Sequence, residues 1–180
     1  TELTMTKTLQ RAKELLHKGI EMECSKPLKH FMEHKVTLEN LSTHDLDTFA
    51  QLDDFDIISA LKVWQFHDDF ILSSLSKMII NRDLSKIKLN SEKFPAEVLQ
   101  EMSSRFAKEH NITIQEAKYF IFKGKIKNQA YSKEAEPIRI LKKDRTIEDV
   151  VEASDQLNLK ALSKPVTKYF ICYPKQLAEI

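Results

Sequence analysis

The chain has 180 residues, of which 42% are hydrophobic and 31% are charged, a composition typical of a globular domain with one sizeable core. Its 28 Lys and Arg residues nearly balance its 27 Asp and Glu residues, so no overall field would attract nucleic acid or an anionic membrane. Only 2 glycines are present, which excludes a Gly-rich phosphate loop and a dinucleotide fingerprint. No apolar run is long enough to span a membrane and no signal peptide is visible, so we expect a cytoplasmic protein without membrane contact.

Hydrophobic spacing and capping residues predict three helices in the first 50 residues, over 2–18, over 26–34, and from Ser42 or Thr43 to about Ala50. Gly19 suits the end of the first helix, because glycine adopts the left-handed conformation without steric cost. Pro27 suits the first turn of the second helix. Since Thr1 is no initiator and a helical pattern begins at once, we expect the chain to be part of a longer protein. The two cysteines, Cys24 and Cys172, are expected to be reduced thiols.

Two amphipathic helices in succession predict a core hairpin within residues 43–89. The stripe of the first helix contains Phe55, Ile57, Ile58, Leu61 and Trp64. The stripe of the second contains Ile71, Leu72, Leu75, Met78 and Ile79. Acidic residues at the two starts suit N-caps and the positive end of the helix dipole: Asp53, Asp54 and Asp56 in the first helix, Asp68 and Asp69 in the second. Because Trp64 lies on the apolar stripe, we interpret it as a core residue and not as a base-stacking platform.

The second half of the chain predicts a different kind of structure. A helix over about 95–110 carries Val98, Leu99, Met102 and Phe106 at helical spacing. Residues rich in aromatic and β-branched side chains then predict strands over 118–127, 137–143 and 166–173, with a turn at 142–145 and short helices at 148–154 and 156–162. The predicted fold class is α+β, with a helical part over about 1–110 and a small antiparallel sheet within 111–180. A boundary near residue 90 is an alternative.

Several segments resemble the C-terminal lobe of bacterial HD-domain phosphohydrolases: LDDFDI (52–57), KVWQ (62–65), INRDLSKI (80–87), IRI (138–140), and KPV (164–166) through CYP (172–174). Within that lobe, the segment 82–86 is similar to the pattern R-x-L-[FY]-K, with Ser85 where an aromatic residue is usual. The family members in question are similar to deoxynucleoside triphosphate triphosphohydrolases of the SAM-and-HD-domain type.

This resemblance implies that residues 1–180 are a single C-terminal lobe of a metal-dependent phosphohydrolase acting on nucleotides. The divalent metal (Mn, Mg, Fe or Zn) would be bound by an N-terminal HD domain, and this lobe would lack its ligands. The expected partners are that HD domain, further copies in a homo-oligomer and an effector nucleotide. The competing hypothesis is a non-enzymatic helical module for protein interaction.

The pair His67–Asp68 could itself belong to an HD metal site, with His30 or His34 before it and Asp144 or Asp149 after it. The pair falls at a helix junction, is followed by Asp69 and Phe70 where the family has small residues, and lies downstream of the family's own HD motif. We therefore interpret Asp68 and Asp69 as caps.

His30 and His34 stand at i and i+4 and could face one metal, but no third ligand follows at a telling spacing. We interpret them as part of an exposed polar face. No metal ligand, nucleophile or other catalytic residue is predicted within the chain.

Arg82 and Lys86 are the candidates for nucleotide binding, because a helical turn would place both cations on one side, facing a phosphate. The alternative for Arg82 is a structural ion pair with the acidic residues at the start of the first hairpin helix, Asp53, Asp54 or Asp56. Lys123, Lys125 and Lys127 alternate along a predicted strand and are expected to be solvated.

Overall fold

The computed structural model describes residues 1–128, 138–153 and 166–177. The helices of the first half are α1 (Glu2–His17), α2 (Lys26–Glu33), α3 (Thr43–Phe49), α4 (Asp54–Trp64) and α5 (Phe70–Ile80). Strand β1 (Lys86–Asn90), helices α6 (Ala96–His110) and α7 (Ile114–Ala117), and strand β2 (Phe122–Asn128) follow. The remaining elements are β3 (Arg139–Leu141), β4 (Ile147–Asp149), α8 (Val150–Ala153), β5 (Val166–Tyr173) and a 3-10 turn at Lys175–Leu177. The predicted α+β class is confirmed.

Helix α1 ends as its glycine predicts. Gly19 has φ +82°, and its N–H donates to the carbonyl of Leu16 at 3.0 Å. The N–H of Ile20 donates to the carbonyl of Leu15, also at 3.0 Å. These two bonds form the Schellman arrangement, which satisfies carbonyl groups that a helix end otherwise leaves without partners.

Side-chain N-caps form at the starts of α2, α3, α4 and α5. Ser25 accepts from the N–H of Leu28, and Asp69 accepts from the N–H of Leu72. Reciprocal capping boxes start α3 and α4, the first between Ser42 and Asp45 and the second between Asp53 and Asp56. Local sequence therefore determines where these four helices begin.

The core hairpin is confirmed, since α5 packs against α4 and also against α1. A cluster of buried side chains at this hairpin and the helices before it comprises Ala12, Leu15, Met22, Leu28, Met32, Ala60, Leu61, Trp64 and Leu72. Trp64 is 1% exposed, and its indole N–H donates to the carbonyl of Glu23 at 2.9 Å. The predictions for Phe55 and Ile58 are wrong: these residues are 81% and 37% exposed, because the face of α4 that packs on the core is narrower than predicted. Of the predicted stripe, Leu61 and Trp64 lie in the core and Ile57 packs against it.

Strand β2 begins four residues later than predicted. Thr113 and Glu116 form a capping box that starts the short helix α7, and hydrogen-bonded turns continue to Ile121. Phe120 and Ile121 are buried in these turns. Phe120 and Ile121 are therefore apolar because they pack in the core, and not because they form a strand.

The three-stranded sheet contains different strands from those predicted. The three-stranded antiparallel sheet has the order β1-β5-β2, and its strand β1 is absent from the sequence-based prediction. Strand β3 instead pairs with β4, with Ile140 opposite Glu148. The turn at 142–145 and the last strand at 166–173 are confirmed. The predicted helix at 148–154 is shorter, since β4 precedes α8, and the predicted helix at 156–162 lies outside the described residues.

The chain divides into two compact units. The first contains residues 1–86, 99–122 and the described residues from Cys172 onward. The second contains residues 87–98 and the described residues within 123–171. Within the described residues, no helix is both long and apolar enough to cross a membrane.

Candidate functional site

A buried ion pair joins the first helix to the start of the fifth. The guanidinium of Arg11 is bound at two points by the carboxylate of Asp69, with Nε–Oδ1 at 3.1 Å and Nη2–Oδ2 at 2.6 Å. Only 8% of the Arg11 side chain and 15% of the Asp69 side chain are exposed. Burial raises the pKa of Asp69, but the hydrogen bonds from Arg11 and from the N–H of Leu72 outweigh it and hold the pKa below its ordinary value.

Further acidic and phenolic groups extend this pair into what we name the Arg11 cluster, comprising Arg11, Glu14, Asp69, Glu116 and Tyr119. Both Glu14 and Glu116 lie 3.4 Å from the guanidinium, and the Tyr119 hydroxyl donates to Glu14. The hydrogen bond with Asp69 raises the pKa of Arg11, and burial with the nearby Glu14 raises the pKa of Tyr119. The cluster thus consists of charged and hydrogen-bonded groups that connect α1, α5 and the segment of α7.

His67 takes part in the same helix start. Its Nδ1 accepts a hydrogen bond from the N–H of Asp69 at 2.9 Å, so this tautomer has its proton on Nε2. Asp69 is the N-cap of α5, whereas Asp68 is exposed and does not cap the helix, which corrects the prediction that both residues act as caps. Within residues 1–128, 138–153 and 166–177, no three His, Cys, Asp or Glu side chains are grouped so that they could hold a metal ion.

A second polar cluster lies where α2 meets α3. His30 Nε2 lies 2.7 Å from Asp45 Oδ1, and the ring of His30 contacts the rings of His34 and His44 at centroid distances of 4.7 and 5.3 Å. Hydrogen bonds from Ser42, and then from His30, hold the pKa of Asp45 well below its usual range. The prediction that His30 is exposed is wrong, because only 18% of its side chain is accessible. Its i, i+4 spacing brings the ring of His34 beside it.

Arg82 and Lys86 do not share a helical face. Helix α5 ends at Ile80 and Lys86 is the first residue of β1, so the spacing argument for a joint phosphate contact fails. Arg82 is exposed and has φ 56°, immediately after the C-cap Asn81. In the described part of the chain, its guanidinium forms none of the predicted ion pairs with Asp53, Asp54 or Asp56. Asp53 and Asp56 form the capping box of α4, and Asp56 also accepts a hydrogen bond from Ser25.

A cavity of about 160 Å³ lies in the first unit beside α5 and α6. Its wall includes a group of aromatic rings in which His110 stacks on Phe70 at 5.2 Å and contacts Phe106 at 4.3 Å. An ion pair between Asp83 and Lys175, 2.5 Å long, also lines it. Sequence reasoning missed this cavity because its residues come from distant segments. The only indication of it that we find in the sequence is the spacing of Phe106 and His110, which are four residues apart on one helix and therefore lie on the same face.

Both cysteines are free thiols, and burial raises the pKa of Cys24 and of Cys172. A raised pKa keeps a thiol protonated and unreactive. Neither residue is therefore suited to act as a nucleophile.

Of three comparisons with known proteins, the one with solved structures finds similar proteins. No family model matches the chain. No curated protein matches it in a search of sequences. Among solved structures, a phosphohydrolase from Bacteroides thetaiotaomicron is similar to it, with a TM-score of 0.86 and 38% sequence identity. The match covers 97% of this chain and 44% of the phosphohydrolase, so the chain spans less than half of that protein's length. The predicted resemblance is thereby confirmed at the level of a phosphohydrolase-like fold.

Proposed function

We propose that this chain is the C-terminal lobe of a metal-dependent phosphohydrolase of the HD type that acts on nucleotides in the cytoplasm. The observation that carries the proposal is the similarity to the Bacteroides phosphohydrolase, which extends over nearly all of this chain but less than half of that protein. The lobe would contribute structure, contacts between subunits or an effector site, and the catalytic residues would come from the remainder of the enzyme.

The described residues of this chain do not fit the divalent metal that such an enzyme uses, because they contain no group of three candidate ligands. His67, the residue that most resembles an HD ligand, has its Nδ1 engaged by the N–H of Asp69. The proposal therefore assigns the metal ligands to an N-terminal HD domain and gives this lobe no part in activating water.

The test compares the isolated chain with the longer protein that contains it. Each would be incubated with a panel of deoxynucleoside triphosphates and with a simple phosphate ester, in the presence of Mn²⁺ or Mg²⁺. We expect the longer protein to release triphosphate or phosphate from nucleotides and the chain alone to release none above the blank. Turnover by the chain alone that is lost in His67→Ala would overturn the assignment, and so would a longer protein that hydrolyses no phosphate compound.

A second candidate is a helical interaction module without enzymatic activity. It is favoured by large apolar side chains that are exposed on or beside α3 and α4, namely Leu46, Phe49, Phe55 and Phe66, which are between 52% and 81% exposed. Exposed apolar surface is typical of sites that contact another protein. Light scattering and the hydrolysis assay on the longer protein distinguish the two candidates together, since a longer protein built around an interaction module would associate without turning over nucleotide, whereas a phosphohydrolase would turn it over.

A further inference from the structure

A cavity of about 380 Å³ lies beside β2 and β5 in the second unit. Two kinds of side chain line it. One kind is cationic, Lys93, Lys123 and Lys125, and the other is aromatic, Phe94, Tyr169 and Phe170. The volume falls within the range of roughly 300–1,000 Å³ that small-molecule sites occupy.

The lysines of this cavity have no partner among the described residues. None of the three forms an ion pair or hydrogen bond there, and no described Asp or Glu lines the cavity. Three like charges around one cavity repel one another unless an anion lies between them. Lys127, which is exposed on the same strand, does not line the cavity, so the charge is concentrated at one place along β2.

The aromatic part of the wall is held in place by close packing. A Cβ atom added to Gly124 would lie 2.5 Å from Cζ of Phe170, so the ring rests directly against the backbone of β2. Phe170 is 7% exposed and is therefore fixed, while Tyr169 and Phe94 are partly accessible. Partly accessible rings beside a cavity provide a surface on which a planar ligand can stack.

We propose that this cavity binds a nucleoside phosphate, with the phosphates at the lysines and the base against the aromatic rings. A simple inorganic anion would use only the cationic side, and an apolar molecule only the rings. A ligand with a multiply charged group and a planar ring uses both sides of the wall. The site consists of other residues than Arg82 and Lys86. It deepens the effector role in the proposed function, on which it rests, and binding here requires no metal and no turnover.

Calorimetric titration of the full 180-residue chain tests this proposal, with deoxyadenosine triphosphate and inorganic triphosphate as separate ligands and no added metal. We expect saturable binding of the nucleotide, with inorganic triphosphate bound about tenfold more weakly because it lacks the stacking ring. Replacing both Lys123 and Lys125 by Ala should weaken nucleotide binding at least about tenfold. Tyr169→Leu should weaken nucleotide binding roughly five- to hundredfold and leave the binding of inorganic triphosphate unchanged.

Lys127→Ala is the matched control, since it removes one charge from the same strand outside the cavity. Equal weakening by Lys127→Ala and by Lys125→Ala would show diffuse electrostatic attraction and overturn the proposal. Nucleotide binding that does not saturate by about 1 mM would also overturn it. So would equal affinity for inorganic triphosphate together with no effect of Tyr169→Leu. Each variant must melt as the unchanged chain does, and Lys125→Arg, which keeps the charge, should bind nucleotide even if Lys125→Ala is unfolded. These results do not depend on whether the longer protein hydrolyses nucleotides.

Discussion

Arg11 and Asp69 lie 58 residues apart in sequence, yet one carboxylate oxygen of Asp69 accepts from Nε of Arg11 and also from the N–H of Leu72. The same side chain therefore starts α5 and ties that helix to α1. Either role alone would leave part of the hydrogen-bonding capacity of the carboxylate unused. The hydrogen bonds of the two roles together compensate the free-energy cost of burying its charge.

Replacing Arg11 should separate these two roles. Arg11→Met leaves Asp69 buried beside an apolar chain and should cost roughly 3–5 kcal/mol of unfolding free energy, the usual loss when one partner of a buried pair is removed. Arg11→Lys keeps the charge but loses the two-point geometry, and should cost about 1–2 kcal/mol. Urea denaturation measures both losses. Arg105→Lys on the exposed face of α6 is the control and should change stability by less than about 0.5 kcal/mol.

Trp64 and Phe55 lie on the same helix and differ in burial, so they form a second matched pair. Trp64→Ala should cost about 3–5 kcal/mol through the cavity that it leaves, and it also removes the donor to the carbonyl of Glu23. Phe55→Ala, at a side chain that is 81% exposed, should change stability by less than about 0.5 kcal/mol. Thermal or chemical unfolding decides this, and a Trp64→Ala variant as stable as Phe55→Ala would show that the indole is not a core residue.

Asp45 should make stability depend on pH in the acid range. Because Ser42 and His30 hold its pKa below the unfolded value of about 3.9, its contribution is fully present above that pH. The contribution is lost progressively as the pH falls through the pKa of the folded state. We therefore expect Asp45→Asn to be less stable than the unchanged protein at pH 7, and the difference to shrink below about pH 4. Asp47→Asn, an exposed carboxylate on the same helix, should reproduce the unchanged protein's curve.

Local signals in the sequence predicted the starts and ends of helices well. Gly19, Ser42 and Asp53 act within a few residues of themselves, and no distant partner is needed for a cap. The last strand, 166–173, was predictable for a similar reason, since its β-branched and aromatic residues form one continuous run. The capping box from Thr113 to Glu116 was equally visible in sequence, but the apolar residues after it favoured a strand.

The features that escaped prediction depend on long-range contacts. All five residues of β1 are exposed, so the strand lacks the buried face that periodicity detects, and it exists because β5 pairs with it. The partner of Arg11 is set by the packing of α1 on α5, and no spacing along the chain encodes it. The wall of the lysine and aromatic cavity likewise combines β2, β5 and the segment before α6. The alternating lysines at 123–127 indicated a charged strand face, but their spacing does not indicate that a cavity lies beside it.

The residues after α1 and after α5 provide the last prediction. Both Gly19 and Arg82 have positive φ values, 82° and 56°, directly after the C-cap of a helix. A side chain costs about 1 kcal/mol or more in this conformation, and glycine does not carry that cost. Arg82→Gly should therefore raise the unfolding free energy by about 1 kcal/mol, since the exposed guanidinium forms no ion pair among the described residues.

Gly19→Ala is the reciprocal change, and it should lower stability by a similar amount, about 1 kcal/mol, for a purely conformational reason. Apart from Gly19 itself and its two chain neighbours, no heavy atom of the described residues lies within 4 Å of the added methyl group, so tertiary contacts should not contribute. Thermal melts of both variants measure the two effects. If Arg82→Gly were destabilising by more than about 1 kcal/mol while Gly19→Ala behaved as expected, the arginine side chain would have a stabilising contact, and the structural role first expected for it would be restored.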